Sequence, residues 1–398
     1  MIKHLSANHE VTVASLARSP EEAEEGRGIA PFCRHFEMAQ VTNGLQVARM
    51  VARLPTMVPS SFGFFYSPQL AQRIRELLTQ EHFDLIFVHC SSVARYVEHV
   101  RDIPKILDFG DMDSQKWLDY SRYKPFPLSA GYRLEGRKLE REERRLAGRF
   151  EMCTATTRAE WETLQGYGTG APSDWFPNGV DHAYFAPDGT SYDPDTICFV
   201  GRMDYYPNQE CMFDFCANVL PRIQARRARA KLVIVGADPS AAVRKLANLR
   251  GVTVTGSVPD VRPYLQQSAL MVAPLNIARG TQNKILEAMA SGVPVVTSAT
   301  AAGGVDALPQ QHFLVANTHE EHAAAALRIL DNADERRRLA VAGRSRMMSH
   351  HDWARSMQRL DGVIERSLAA WVDNRSQLKI SRRTVRPICH VSGDKNSW

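Results

Sequence analysis

The sequence is short of the features that mark membrane-spanning, disulfide-linked or nucleic-acid-binding proteins. No stretch approaches about 18 uninterrupted apolar residues, and the start Met1-Ile2-Lys3-His4-Leu5 lacks the apolar core of a secretory signal, so membrane contact is expected to be peripheral. Its seven cysteines, Cys33, Cys90, Cys153, Cys198, Cys211, Cys216 and Cys389, are odd in number and scattered. They offer no C-x-x-C pair and no histidine at zinc-site spacing, and a reduced, cytoplasmic protein is the expectation. Charge of one sign is scarce too. Forty-nine Lys+Arg against 44 Asp+Glu leave +5, which suits anionic small molecules or an anionic lipid surface. Without interleaved aromatics it does not suit nucleic acid.

What the sequence does have is a repeated βαβ pattern on a chain too long for one core. Its 398 residues exceed the roughly 250–300 at which a single core stops growing. Short apolar runs at Val11–Leu16, Leu85–Val88 and Lys105–Phe109 precede a second set at Thr196–Val200, Lys231–Val235, Val252–Val254, Leu270–Ala273 and Pro294–Thr297. Helical stretches separate them, as parallel sheets covered on both faces require. The expected fold class is α/β, with two doubly wound Rossmann-like domains facing across a cleft and ligands held outside the carboxyl ends of the strands. The domains are placed at 1–176 and 177–350, with a helix at 351–372 returning to the first and a polar tail at 373–398. The Pro-, Gly- and Asn-rich segment Trp175–Asp188 forms the connection, with Asn178, Gly179 and Asp181 at the hinge. The charged stretch Tyr132–Arg149 carries Leu134, Leu139 and Leu146 on a narrow stripe. It reads either as a solvated amphipathic helix or as a basic face lying on anionic lipid.

Candidate chemistry gathers at strand ends. Within Ala278–Thr297, Lys284 and Glu287 share one helical face with Asn283 beside them. The helix start and Gly280 suit a phosphate, Arg279 and Lys284 add charge, and Glu287 can accept ribose hydroxyls. Taken alone, Lys284 and Glu287 could equally be a surface i,i+3 pair. Arg202 follows the strand ending at Gly201 and faces the same cleft. In Asp108-Phe-Gly-Asp-Met-Asp113, Asp111 and Asp113 read as a metal-binding D-x-D or, with Ser114, as helix caps. His89, after Leu85–Val88, is either a loop histidine or a substrate contact. Gly303-Gly304 is a flexible loop that could approach a ligand.

Together these segments resemble retaining family 4 glycosyltransferases of the two-Rossmann-domain GT-B type. The resemblance rests on Pro177-Asn-Gly-Val-Asp181, Val200-Gly-Arg202, Val235-Gly236 and Lys284-Ile-Leu-Glu-Ala-Met-Ala-Ser-Gly-Val-Pro-Val-Val296, in that order. Asp108–Trp117, Met203–Asn208, Val258–Tyr264 and Ala278–Lys284 are similar to the sugar transferases associated with PEP-CTERM/exosortase exopolysaccharide systems.

The resemblance implies a nucleoside-diphosphate sugar as donor and no cofactor or metal. It places Glu287 on the ribose and Arg202 with Lys284 on the diphosphate. The acceptor is a saccharide or polyprenyl-linked saccharide, reached from His89 and Asp108–Asp113, with the protein at the inner face of the cell membrane. A nucleotide-sugar epimerase and a non-catalytic nucleotide-binding scaffold are the alternatives. Three departures from the family stand out. Arg279 takes the place of the first of two glutamates eight apart, Pro207-Asn208 replaces a lysine, and the opening strand with its Gly-rich turn is missing. The last implies an unpaired edge within the first sheet.

Overall fold

In a computed structural model of the chain, which describes residues 1–41 and 43–384, every sheet is parallel. β1 (Thr12–Ala17) and β2 (His35–Gln40) form a pair of their own. β3 (Ile86–His89), β4 (Lys105–Asp108), β5 (Met152–Ala155) and β6 (Ser173–Trp175) form a four-stranded sheet in that order. The second unit holds β7 (Asp193–Val200), β8 (Lys231–Val235), β9 (Val252–Val254), β10 (Ser268–Ala273), β11 (Val295–Thr297) and β12 (Leu314–Val315), ordered β12-β11-β10-β7-β8-β9. The expected two-unit α/β architecture is therefore present. Among the described residues β1–β2 and β3–β6 form two separate sheets.

The central strands β4 and β10 are buried along their whole length because both faces are covered. In β4 successive side chains point opposite ways. Leu107 packs into a core with Met112, Leu139 and Leu146, while Ile106 joins Met152, Phe176, Leu360 and Val363 on the other face. Leu360 and Val363 belong to the helix Trp353–Thr384, which thus returns to the first unit's sheet. In β10, Leu270, Met271 and Val272 are fully buried. Each such side chain contributes about 1.5–3 kcal/mol over leaving it exposed.

The charged helix spans Leu128–Ala147 and packs mainly on the helix Asp113–Tyr123. Its apolar stripe is narrower than expected: Leu139 and Leu146 are buried, but Leu134 is exposed. The tail expected from 373 is helical as far as Thr384, since no glycine or proline interrupts 373–384 and extending a packed helix costs little per residue. Residues 385–398 lie outside the described residues.

The chain crosses between units twice, and the crossings are bonded side by side. Val180 N–H donates to His351 O at 2.7 Å, His351 Nδ1 lies 3.1 Å from Asn178 O, and His182 Nε2 lies 2.9 Å from Asp352 Oδ2. At Gly179 a Cβ would stand 2.6 Å from Trp353 Cγ, so only glycine lets the crossings approach this closely. Asp181 Oδ1 accepts from Ala183 and Tyr184 N–H and fixes the turn that follows.

Candidate functional site

The carboxyl ends of β7 and β8 converge because the loops that follow them open on glycine. A Cβ on Gly236, after β8, would lie 1.8 Å from the carbonyl oxygen of Gly201, after β7. Into this junction comes Lys284, from the first turn of the helix Asn283–Ala290. Its ammonium donates to Asn208 Oδ1 at 2.6 Å and lies over the Phe199 ring at 4.9 Å. Asn208 Nδ2 donates to Arg202 O at 2.8 Å, so the Gly-Arg loop, Asn208 and Lys284 form one unit.

Burial pushes the Lys284 ammonium down to about 8, and burial pushes the Glu287 carboxyl up, with Lys284 opposing. One turn along the same face, the Glu287 carboxylate accepts no hydrogen bond from a described residue. Gln282 gives the helix no side-chain cap, and Thr281 Oγ1 is buried without a partner among the described residues. Asn283 Oδ1 is met by Asn178 Nδ2 from the hinge at 3.4 Å.

Arg202 and Arg279 differ in their engagements. Arg202 is exposed at the mouth, with Nη2 2.7 Å from Asp204 and 3.4 Å from Asp238. Arg279 is half-buried and ion-paired across the seam to the first unit, 2.7 Å from Asp119 and 3.8 Å from Glu160. Gly280 follows with φ +61°, and a Cβ there would lie 1.9 Å from Asp111 Oδ1. A side chain at that position could not coexist with the seam as it stands.

On the first unit, His89 Nδ1 lies 2.7 Å from Asp108 Oδ2 at the adjoining ends of β3 and β4. Asp108 is buried and also accepts from Thr154 Oγ1 at 2.9 Å. Its hydrogen bond pushes His89 up to about 10, which favours the protonated imidazole at neutral pH. Asp111 accepts from Thr156 Oγ1 at 3.0 Å.

Asp113 and Ser114 are not the caps the sequence suggested. Asp113 is already the first helical residue, and Met112 at the N-cap position provides no side-chain bond. The free N–H groups are taken instead by carboxylates from distant helices: Ser114 N–H donates to Glu143 at 2.9 Å and Met112 N–H to Glu160 at 2.9 Å. Burial pushes Asp113 up, with Asp111 adding to the rise. Among the described residues no three His, Cys, Asp or Glu side chains gather as they would around a metal ion.

Glu160 and Asp119 were not singled out from sequence. Thr157-Arg-Ala-Glu160 has the spacing of a capping box, and Thr157 does cap its helix. The Glu160 carboxylate turns away from that cap to Met112 and Arg279, and burial pushes it up to about 7. Asp119 carried no local signal at all.

Family models match both units: residues 1–184 match Glycosyltransferase Family 4, and residues 194–332 match Glycosyl transferases group 1. No curated protein matches the chain by sequence. Among solved structures, sucrose-phosphate synthase of Thermosynechococcus elongatus is similar at TM-score 0.64 and 17% identity, over 92% of this chain and 98% of that one. Anabaena Alr3699/HepE in complex with UDP-glucose is similar at TM-score 0.64 and 12% identity, over 92% and 94%. A glycosyltransferase of Rickettsia africae follows at 0.61 and 11%, over 92% and 93%. At these identities the structural likeness speaks for the fold, and the family models speak for its use. The chain is thus a glycosyltransferase of the GT-B type, its two units matched by two different glycosyltransferase models.

Proposed function

We propose that the protein transfers a sugar from a nucleoside-diphosphate sugar to a saccharide acceptor of exopolysaccharide or lipid-linked type, with retention at the anomeric carbon and without a metal. The observation that carries the reading is the Lys284–Asn208 unit beside Gly201, set one helical turn from the unpartnered Glu287. A cation, uncapped helix N–H groups and a free carboxylate in that order match a diphosphate followed by a ribose. The UDP complexes of HepE support a nucleotide-sugar donor by analogy. Lys284 and Arg202 would neutralise the leaving diphosphate, the electrostatic role a divalent cation fills elsewhere.

Arg279 serves in this reading as the tie that seats the donor loop on Asp119 and Glu160 rather than as a phosphate ligand. The cationic His89 presents Nε2 to a sugar hydroxyl or phosphoryl oxygen from the acceptor side, and closure of the seam excludes water that would hydrolyse the donor. A thermal-shift panel of UDP, GDP, ADP and TDP tests the donor class, since a bound nucleotide stabilises the folded state by mass action. Glu287→Ala should abolish the shift given by the preferred nucleotide. An unchanged shift would remove the ribose assignment. The anomeric configuration of the product, read by NMR, tests retention.

A further inference from the structure

The helix Asn43–Ala52 and the segment after it are turned inside out for a water-facing surface. Val47 and Val51 are 45% and 52% exposed, and Leu54 and Met57 continue the face at 53% and 63%. The arginines of the same stretch point inward. Arg49 Nη1 donates to Tyr66 O at 2.7 Å, and Arg95, from the turn after β3, lies over the Tyr66 ring at 4.4 Å. Arg53 completes the group, with Nη1 buried and without a hydrogen-bond partner among the described residues.

Burial and the like charges of Arg95 and Arg49 hold the Arg53 guanidinium below its usual pKa. Glu135, on the neighbouring helix, is already committed to Ser61 N–H and Oγ at 2.8 and 3.0 Å. Lys138 Nζ grips the carbonyls of Arg53 and Leu54 at 3.3 and 2.8 Å and holds the end of the segment in place. Two guanidinia over one ring, a third near enough to feel their charge, and a buried donor unused among the described residues form an anion site. Arg95 follows His89 by six positions, so this site sits on the acceptor side, and the exposed apolar face adjoins it.

We propose that Arg49, Arg53 and Arg95 bind the phosphate or diphosphate of a lipid-linked acceptor, while Val47, Val51, Leu54 and Met57 rest in the lipid surface that carries it. The proposal deepens the glycosyl-transfer reading and rests on it for the word acceptor. A basic cluster under an apolar face is what an anionic lipid interface recognises: the charges take the head group and the apolar side chains enter the acyl boundary.

Sedimentation of the full chain with vesicles tests the proposal. Binding is expected to phosphatidylcholine vesicles containing a polyprenyl diphosphate and not to phosphatidylcholine alone. Arg53→Gln and Arg95→Gln should each lower it on the order of tenfold, the cost of one charge-assisted contact. Val51→Asp with Leu54→Asp, both at exposed positions, should abolish vesicle binding yet leave calorimetric binding of inorganic pyrophosphate intact. Equal binding to neutral vesicles, or arginine variants that sediment like wild type, would overturn the proposal. Pyrophosphate binding unaccompanied by any vesicle binding would overturn its lipid part and point to a water-soluble phosphate. A UDP thermal shift without vesicle binding would remove this inference alone. Vesicle binding without any nucleotide shift would keep the lipid site and remove the glycosyl-transfer reading.

Discussion

Replacing Lys284 by methionine, which keeps most of the side chain's bulk, should separate donor binding from folding. The ammonium sits between Asn208 and the Phe199 ring, and burial has lowered its pKa to about 8. A charge-assisted hydrogen bond to phosphate contributes about 1.5–3 kcal/mol, so Lys284→Met should weaken nucleotide binding by roughly 10- to 150-fold. At a nucleotide concentration 100 times the wild-type Kd, ligand stabilisation is about 2.7 kcal/mol. A hundredfold loss at the same concentration leaves RT ln 2, or about 0.4 kcal/mol, and the thermal shift nearly vanishes.

The pH dependence adds a signature that bulk alone cannot mimic. A bound diphosphate favours the charged amine, so the complex holds its proton above pH 8 while the free site loses it. Wild-type affinity should therefore fall by up to tenfold per pH unit above about 8, a slope absent from Lys284→Met. The unliganded variant should melt no earlier than wild type, because a buried charge with one neutral partner stabilises little. Isothermal titration at pH 7, 8 and 9, alongside the melts, decides the matter. A full nucleotide shift in Lys284→Met, or the same slope in both proteins, would refute the assignment.

Two further outcomes follow from the seam. Gly280→Ala adds a Cβ where Asp111 Oδ1 stands 1.9 Å away, at φ +61°. The backbone cost alone is about 1 kcal/mol. Turnover should fall at least tenfold while nucleotide binding survives, and normal turnover would show that the seam does not close this way during reaction. Glu160, raised from 4.5 to about 7 by burial, keeps a proton in the folded state that the unfolded chain has released. Its contribution to stability is full below pH 4.5 and is lost as pH rises through 7. Glu160→Gln should then melt at or above wild type beyond pH 7, with the difference closing toward pH 4.5 in thermal melts. A pH-independent difference would argue against a titrating Glu160.

The second unit was the more legible in sequence, for a physical reason. β7, β8, β10 and β11 are largely buried on both faces and spell themselves out as apolar runs, whereas the edge strand β9 exposes Thr253 and β12 is only Leu314–Val315. In the first unit β2 (HFEMAQ), β5 (MCTA) and β6 (SDW) mix polar and apolar residues or are too short to show a period. They become strands through their neighbours. The site divides in the same way. Lys284 and Glu287 share a helical face by spacing, so their proximity could be read directly. Asn208, Asp119 and Glu160 gain their partners from residues 76, 160 and 119 positions away, and nothing local announces them. The same reach explains Asp113, whose helix is capped by Glu143 and Glu160 instead of by a neighbour in sequence.

The two bonded crossings make the second unit a guest within the first. Its ends at Val180 and His351 lie within one hydrogen bond, so residues 181–350 form a loop that closes on itself, while the helix from Trp353 resumes the host's own fold. The two units are thereby tied at two places, once where the crossings lie side by side and once where Arg279 meets Asp119 and Glu160, and neither tie depends on residues adjacent in sequence.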